Sequence, residues 1–305
     1  MIYTITFNPS IDYVVTVSEI SYDDVNRAKE EYILPGGKGL NVSRVLYNLG
    51  IDNIATGIIA GFTGKEIVRM LNVYGLNCDF VEVNTGMSRI NVKIKSDNEG
   101  EINGLGPVVD SDDVNALYKV IRNISQGDYL VLGGNVQQSV PVSIYKELTE
   151  YATTRGARCV VDATGELLSE ALYAKPFLIK PNKIELEKFV GMQMNCIDDI
   201  IQSARILQKK GAANVLVSLA DAGGVLVADN GCVYISDAPK GTVVNSVGAG
   251  DSMIAGFLAG LIKKGNYEDA LRMGICAGSA STFSKELATQ EEVDRLMTQV
   301  TINLM

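Results

Sequence analysis

The chain contains no histidine. This absence excludes Ser-His-Asp and Cys-His nucleophilic catalysis, the H-E-x-x-H zinc hydrolases and every histidine-ligated metal site. In an enzyme built on this sequence, a carboxylate is the expected proton acceptor. Cysteine is scarce as well: Cys78, Cys159, Cys196, Cys232 and Cys276 are odd in number, widely spaced and never form a C-x-x-C pair. That usage suits a reducing compartment and ordinary core thiols, and it argues against a structural zinc site. Long apolar runs are missing too. The most apolar stretch, Met253 to Ile262, is far shorter than the roughly 20 residues needed to cross a bilayer. The N-terminus, Met1-Ile-Tyr-Thr-Ile-Thr-Phe-Asn-Pro, has no basic region or small-residue cleavage site, so the expected location is cytoplasmic. Positive charge is in deficit, with a formal net charge of -9. This argues against binding to nucleic acid or to an anionic membrane, and any anionic ligand must be held by local Lys and Arg side chains.

With 305 residues, 47% of them hydrophobic, the chain can bury a large core as one domain or as one domain with an excursion. Residues 2–7 alternate as a strand and stop at Asn8-Pro9-Ser10, and a second alternating run covers 13–17, with Asp12 between them. Tyr32 to Pro35 leads into Gly36-Gly37-Lys38-Gly39-Leu40-Asn41-Val42 and a helix that stops at Gly50. A buried strand over 54–60, a helix over 64–74 and an alternating strand over 89–95, ending at a turn Asn98-Glu99-Gly100, follow. Clean alternation over 13–17 and 89–95 predicts half-exposed strands of a small sheet projecting from the body.

From residue 111 helices and short apolar strands alternate: helices over 111–125 and 141–155, one near 167, then 184–190 and 197–210. The intervening strands are 129–132, 159–161, 177–179 and 215–219. This rhythm indicates a mainly parallel sheet covered on both faces. Residues 223–227 and 232–235 flank Asp229-Asn230-Gly231 as a hairpin, so the far edge is expected to be antiparallel. Helices finish the chain. There is no internal repeat, low-complexity tract or interdomain linker.

Ligands of open α/β sheets gather beyond the carboxyl ends of the strands. The loops there are Asn8 to Asp12, Gly133-Gly134-Asn135, Lys180 to Glu185, Ser218 to Gly224, and Val244 to Asp251. In the last, Gly248-Ala249-Gly250 enters a long apolar helix, a backbone suited to an anion. Locally, Asp251 reads as a capping or dipole-complementing residue. Gly36-Gly37-Lys38-Gly39 is not a Walker A loop, because position 32 is Tyr and Gly follows the lysine. No G-x-G-x-x-G follows the first strand, which disfavours a dinucleotide fold.

The Gly36 to Val42 loop, the Asn245-Ser246-Val247-Gly248-Ala249-Gly250-Asp251 loop and Asn182-x-x-Glu185 together resemble the ribokinase-like (PfkB) carbohydrate kinase family over the whole chain. Phe7-Asn8-Pro9-Ser10-Ile11-Asp12, the lysine of Gly-Gly-Lys-Gly and Glu101-Ile102-Asn103-Gly104 resemble its phosphosugar branch. The commoner family form begins the late motif with Asp-Thr where this chain has Asn245-Ser246, while Gly-Ala-Gly-Asp is intact. The resemblance implies a three-layer α/β/α sandwich with a small projecting β lid. It implies a single domain over 1–305, with the lid formed from about 12–35 and 87–106.

The activity it implies is transfer of a phosphoryl group from ATP, with Mg2+, to a ketohexose phosphate. Fructose 1-phosphate is the first expectation, tagatose 6-phosphate and fructose 6-phosphate are alternatives, and a non-catalytic sugar-phosphate sensor is the alternative of another class. Asp251 is the implied general base, with the Gly248, Ala249 and Gly250 amides facing the transferring charge. Asp12, Gly36, Gly37 and Asn41 would meet the sugar. Lys38, Arg89 and Arg27 would meet its phosphate, Arg27 in its own site or a partner's. Lys180, Asn182, Glu185, Ser218, Ala220, Gly223, Gly250, Ala277 and Gly278 would line the nucleotide, with Glu185 near Mg2+ through water. Each has a plainer reading: a solvated turn for Asp12, a tight turn for the early glycines, a capping pair for Asn182 and Glu185, helix packing for Ala277 and Gly278. A homodimer through the lid strands is implied as well.

Overall fold

The computed structural model describes residues 1–21, 23–96 and 100–305. In chain order its elements are β1 (Ile2–Thr6), β2 (Ser10–Thr16), β3 (Glu30–Gly36), α1 (Lys38–Asn48), β4 (Asn53–Ala60), α2 (Gly61–Val73), β5 (Asn77–Cys78), β6 (Val81–Val83), β7 (Arg89–Lys95) and β8 (Gly100–Asn103). There follow α3 (Ser111–Val120), β9 (Tyr129–Gly133), α4 (Ile144–Thr153), β10 (Arg158–Asp162), α5 (Gly165–Tyr173), β11 (Leu178–Ile179), α6 (Lys183–Val190), α7 (Ile197–Lys210) and β12 (Asn214–Ser218). The chain ends with β13 (Gly224–Val227), β14 (Val233–Ser236), α8 (Ala249–Lys264), α9 (Tyr267–Phe283), α10 (Gln290–Met297) and β15 (Ile302–Leu304).

The main sheet runs β15-β14-β13-β12-β11-β10-β9-β1-β4-β5, with β6 also on β4. It is parallel from β12 to β5 and antiparallel from β12 to β15. Both faces are buried because the central strands are apolar on both sides. On β9, Leu130 and Leu132 pack with α3, α4, α5 and α7, while Tyr129 and Val131 pack with α1, α8, α9 and α10. The result is the expected three layers. α8 is buried along Asp251 to Gly260, and it lies close on α9 because Gly256, Gly260 and Gly274 have no side chains at the crossing.

The second sheet has order β3-β2-β7-β8 and stands apart from the first, as the alternating runs predict. A small cluster of Ile11, Leu40, Ala55, Ile67, Met70 and Leu71 joins it to the body. Residues 32–35, read from sequence only as a lead-in, belong to a strand, β3. The acidic pair Glu30-Glu31 and the exposed Tyr32 hide its period, and its position at the sheet edge tolerates Pro35. The turn expected at Asn98-Glu99-Gly100 falls largely on 97–99, outside the described residues.

Several boundaries differ from expectation: the strand expected over 13–17 already starts at Ser10, and the helix expected over 64–74 starts at Gly61. The helix over 111–125 ends at Val120, after which the Ile124 amide turns back onto the Ile121 carbonyl. The helix over 141–155 begins only at Ile144, because Pro141 first forms a turn that the Ile144 amide closes. The last helix is followed by β15, which extends the antiparallel edge beyond the expected hairpin. Among the described residues, no helix is long and apolar enough to cross a membrane.

Candidate active site

The carboxyl ends of β1, β9, β10, β11 and β12 open on a cavity of about 1680 Å³, closed on its other side by residues of β2, β7 and β8. Both glycine loops face it. Gly37 and Gly248 hold φ of 137° and 80° at the starts of α1 and α8, where a side chain would be strained. Neither helix start is capped by a side chain. In α8 the Ser252 amide is the first to close on a helical carbonyl, that of Gly248, so the Gly250 and Asp251 amides have no intrahelical acceptor. An anion at this end is favoured by those amides and by the helix dipole.

Of the two local readings of Asp251, capping is not observed, while its place in the first turn of α8 keeps the dipole-complementing one. The residue is 6% exposed, and its carboxylate accepts a hydrogen bond from Asn41 Nδ2 at 2.7 Å. Burial raises its pKa to about 7 and the charge of Asp162 adds to the rise, while Asn41, Lys38 and Lys180 oppose it. The group is therefore poised to gain or lose a proton near neutrality.

Asp12 stands on β2 in register with Asn91 on β7. Its Oδ1 accepts from Ser10 Oγ at 2.7 Å and from Asn91 Nδ2 at 2.9 Å, and Lys93 Nζ lies 3.7 Å from Oδ2. Gly36 does not line the cavity. It lies directly against Asp12 and Ser10, where a Cβ would collide with both side chains, so its contribution is to leave room for the Asp12 carboxylate. Arg89 lines the cavity, and its Nε donates to the Asn8 carbonyl at 2.9 Å. Burial pulls its pKa down, while Asp12 and Glu101 pull it up. Arg27 lies on the exposed segment before β3 and is not part of this chain's cavity wall.

Lys38, expected to meet the substrate's phosphate, is paired with Asp162 at 3.0 Å, and Lys180 lies 3.8 Å from the same carboxylate. Burial disfavours the Lys38 cation, but Asp162 and Asp251 outweigh it and raise its pKa. Asp162 is itself buried, and the two lysines overcome that burial to lower its pKa.

Lys180, Asn182, Glu185, Ser218, Ala220, Gly223 and Gly278, the residues expected around a nucleotide, all line the cavity. Asn182 and Glu185 also form a reciprocal capping box at the start of α6, each side chain accepting from the other's amide at 2.8 Å. The plainer reading of this pair thus holds alongside its place in the wall. Ala277 does not face the cavity: it is fully buried, and its methyl occupies the space that a side chain at Gly256 would need. Among the described residues, no group of three or more Cys, Asp or Glu is arranged to hold a metal ion.

Asp162, Asn91 and Lys93 are wall residues missed in the sequence. The two on β7 had a signal, since Arg89, Asn91 and Lys93 share one face at a period of two. Asp162 had only its place at the end of a strand.

Comparison with known proteins places the whole chain among carbohydrate kinases. A 1-phosphofructokinase of Bacillus subtilis is 42% identical over 302 residues, 99% of each chain. A D-tagatose-1-phosphate kinase of Bacillus licheniformis is 37% identical, again over 99% of each. Among solved structures, phosphofructokinase-2 from Escherichia coli in complex with substrates and products superposes with a TM-score of 0.91 at 28% identity, covering 98% of both chains. Residues 5–293 match the pfkB family carbohydrate kinase description, and the chain belongs to that family.

Proposed function

We propose that the protein transfers the γ-phosphoryl group of ATP to the free terminal hydroxyl of a ketohexose 1-phosphate, with fructose 1-phosphate as the preferred acceptor and fructose 1,6-bisphosphate as the product. The observation that carries this reading is Asp251: a buried carboxylate with a pKa of about 7 in the first turn of an uncapped helix, inside a cavity furnished with cations. The relatives named above include kinases of fructose and of tagatose, both for the 1-phosphate. That common feature favours a ketohexose 1-phosphate over the 6-phosphate alternatives.

Ionised Asp251 takes the proton of the attacking hydroxyl as the new O–P bond forms and the bond to the leaving ADP oxygen breaks. Of the expected Gly248, Ala249 and Gly250 amides, that of Ala249 is turned onto the Ser246 carbonyl; the Gly250 and Asp251 amides, with Lys180 beside Gly250, face the charge carried by the moving phosphoryl group. A Cβ at Gly250 would stand 2.9 Å from Lys180 Nζ, so the missing side chain leaves the space that an oxygen requires. Asp12 holds sugar hydroxyls, and Arg89, without an acidic partner among the described residues, takes the substrate's own phosphate.

The donor set suits Mg2+ only in part. Glu185 has one carboxylate oxygen outside its capping box and would hold the ion through water, the nucleotide phosphates supplying most ligands. A Mg2+ ion held there would supply charge neutralisation to the nucleotide phosphates.

The four-stranded sheet serves as the lid over the sugar within a single domain, and its exposed edge strands pair with a second copy. Tyr32 and Ile33 on β3 and Ile102 on β8 are apolar and exposed there, which supports a homodimer. A cytoplasmic location fits the reducing cysteine usage. Measuring ADP release with fructose 1-phosphate, tagatose 1-phosphate, fructose 6-phosphate and tagatose 6-phosphate tests the assignment. Turnover with the 1-phosphates is expected, and turnover confined to the 6-phosphates contradicts it.

A further inference from the structure

Asp162 is a buried carboxylate, with its side chain 4% exposed, that the proton transfer does not use. Sheet order explains what surrounds it. It ends β10, in register with Gly133 at the end of β9, and Ile179, in register with Val161, carries the chain into Lys180. On its other side the Lys38 stem crosses the end of β9. A Cβ on Gly133 would stand 3.1 Å from Lys38 Cβ, and the same construction at Gly134 meets Lys38 Cγ at 3.8 Å, so two bare glycines give the stem its path. One carboxylate thus gathers an ammonium group from the start of α1, in the sugar half, and another from beyond β11, in the nucleotide half.

We infer that Asp162 is a positioning residue for phosphoryl transfer: it ties Lys38 and Lys180 together at the boundary between the sugar and nucleotide halves, so that both cations meet the group in flight. This rests on the reading of the cavity as a phosphoryl-transfer site. Two ammonium groups on flexible stems would otherwise spread apart by mutual repulsion, and one buried counter-charge holds them at one place. The groups facing Asp162 are Lys38, Lys180, Asp251 and the buried Tyr145, whose hydroxyl donates to the Gly134 carbonyl. Its negative charge also disfavours ionisation of Asp251, so the tie and the base are electrostatically linked.

The test is the pH profile of kcat for Asp162→Asn against the parent, with fructose 1-phosphate, ATP and a Mg2+ titration. A parent without turnover refutes the functional reading and leaves nothing to compare, which separates the two failures. With an active parent, the plateau kcat is expected to fall about 10²-fold, the size of a misplacement of about 1 Å. The acidic limb is expected to move to lower pH, since Asp251 loses a negative neighbour. The limb reports the lost charge, whereas a merely structural role would leave the plateau kcat, per folded protein, at the parental value.

An unmoved limb overturns the inference. So does a plateau that recovers to the parent value at high Mg2+, because the carboxylate would then be serving the metal. Should Asp162→Asn fail to fold, Asp162→Glu decides. It keeps the charge, and with it the limb, while the added methylene displaces the tie and lowers the plateau at least 10-fold; a parental plateau overturns the inference.

Discussion

Asn41 donates its side-chain N–H to Asp251 Oδ2 at 2.7 Å, joining the first turn of α1 to the first turn of α8. The two glycine loops, far apart in the chain, therefore meet at one carboxylate. That contact favours the ionised form of a group that burial holds near a pKa of about 7.

Replacing Asp251 by Asn keeps the size and the polar contact but removes the base. The expected result is a fall in kcat of roughly 10²- to 10⁴-fold with a cooperative thermal transition retained. Steady-state kinetics with a melting curve check it. A kcat within a few-fold of the parent would remove Asp251 from the proton transfer.

The same residue predicts two opposite pH trends. Activity needs the ionised form, so kcat should fall as the pH drops through about 7. Stability runs the other way. The folded-state pKa lies above the unfolded value, so the stabilising contribution is present below that unfolded value and is lost as pH rises through about 7. Asp251→Asn should therefore gain melting temperature over the parent at pH 8 and little at pH 5. Equal differences at both values would contradict the burial effect.

Arg89 meets the sugar phosphate in the proposed arrangement, and Arg89→Met should raise the KM for fructose 1-phosphate by about 10- to 100-fold. This follows from a charged hydrogen bond worth about 1.5–3 kcal/mol. The KM for ATP should change little. An equal rise for both substrates would place the side chain elsewhere in the reaction.

The exposed apolar residues of the small sheet predict a dimer that a charge at its edge disrupts. Ile33→Asp should shift sedimentation from dimer to monomer. A parent that sediments as a monomer at working concentration excludes the pairing.

Much of this site is legible in the sequence because its parts are local. Gly248 to Asp251 and Gly36 to Asn41 are short stretches whose turn residues and helix starts can be read directly, and the absence of histidine leaves carboxylates as bases. The alternation at Arg89, Asn91 and Lys93 marks a polar strand face in the same way. What could not be read is assembled from distance. Asp162 is one more acid at a strand end until the sheet order sets it between Lys38 and Lys180. The packing of Ala277 against Gly256 depends on the α8–α9 crossing, and β3 is hidden because its exposed, charged start carries no period.

The most direct test of the functional reading is coupled ADP release by the purified protein with ATP, Mg2+ and fructose 1-phosphate. The expected result is stoichiometric formation of ADP and fructose 1,6-bisphosphate, lost in Asp251→Asn. ADP formation that no ketohexose phosphate stimulates, or that survives unchanged in that variant, would contradict it.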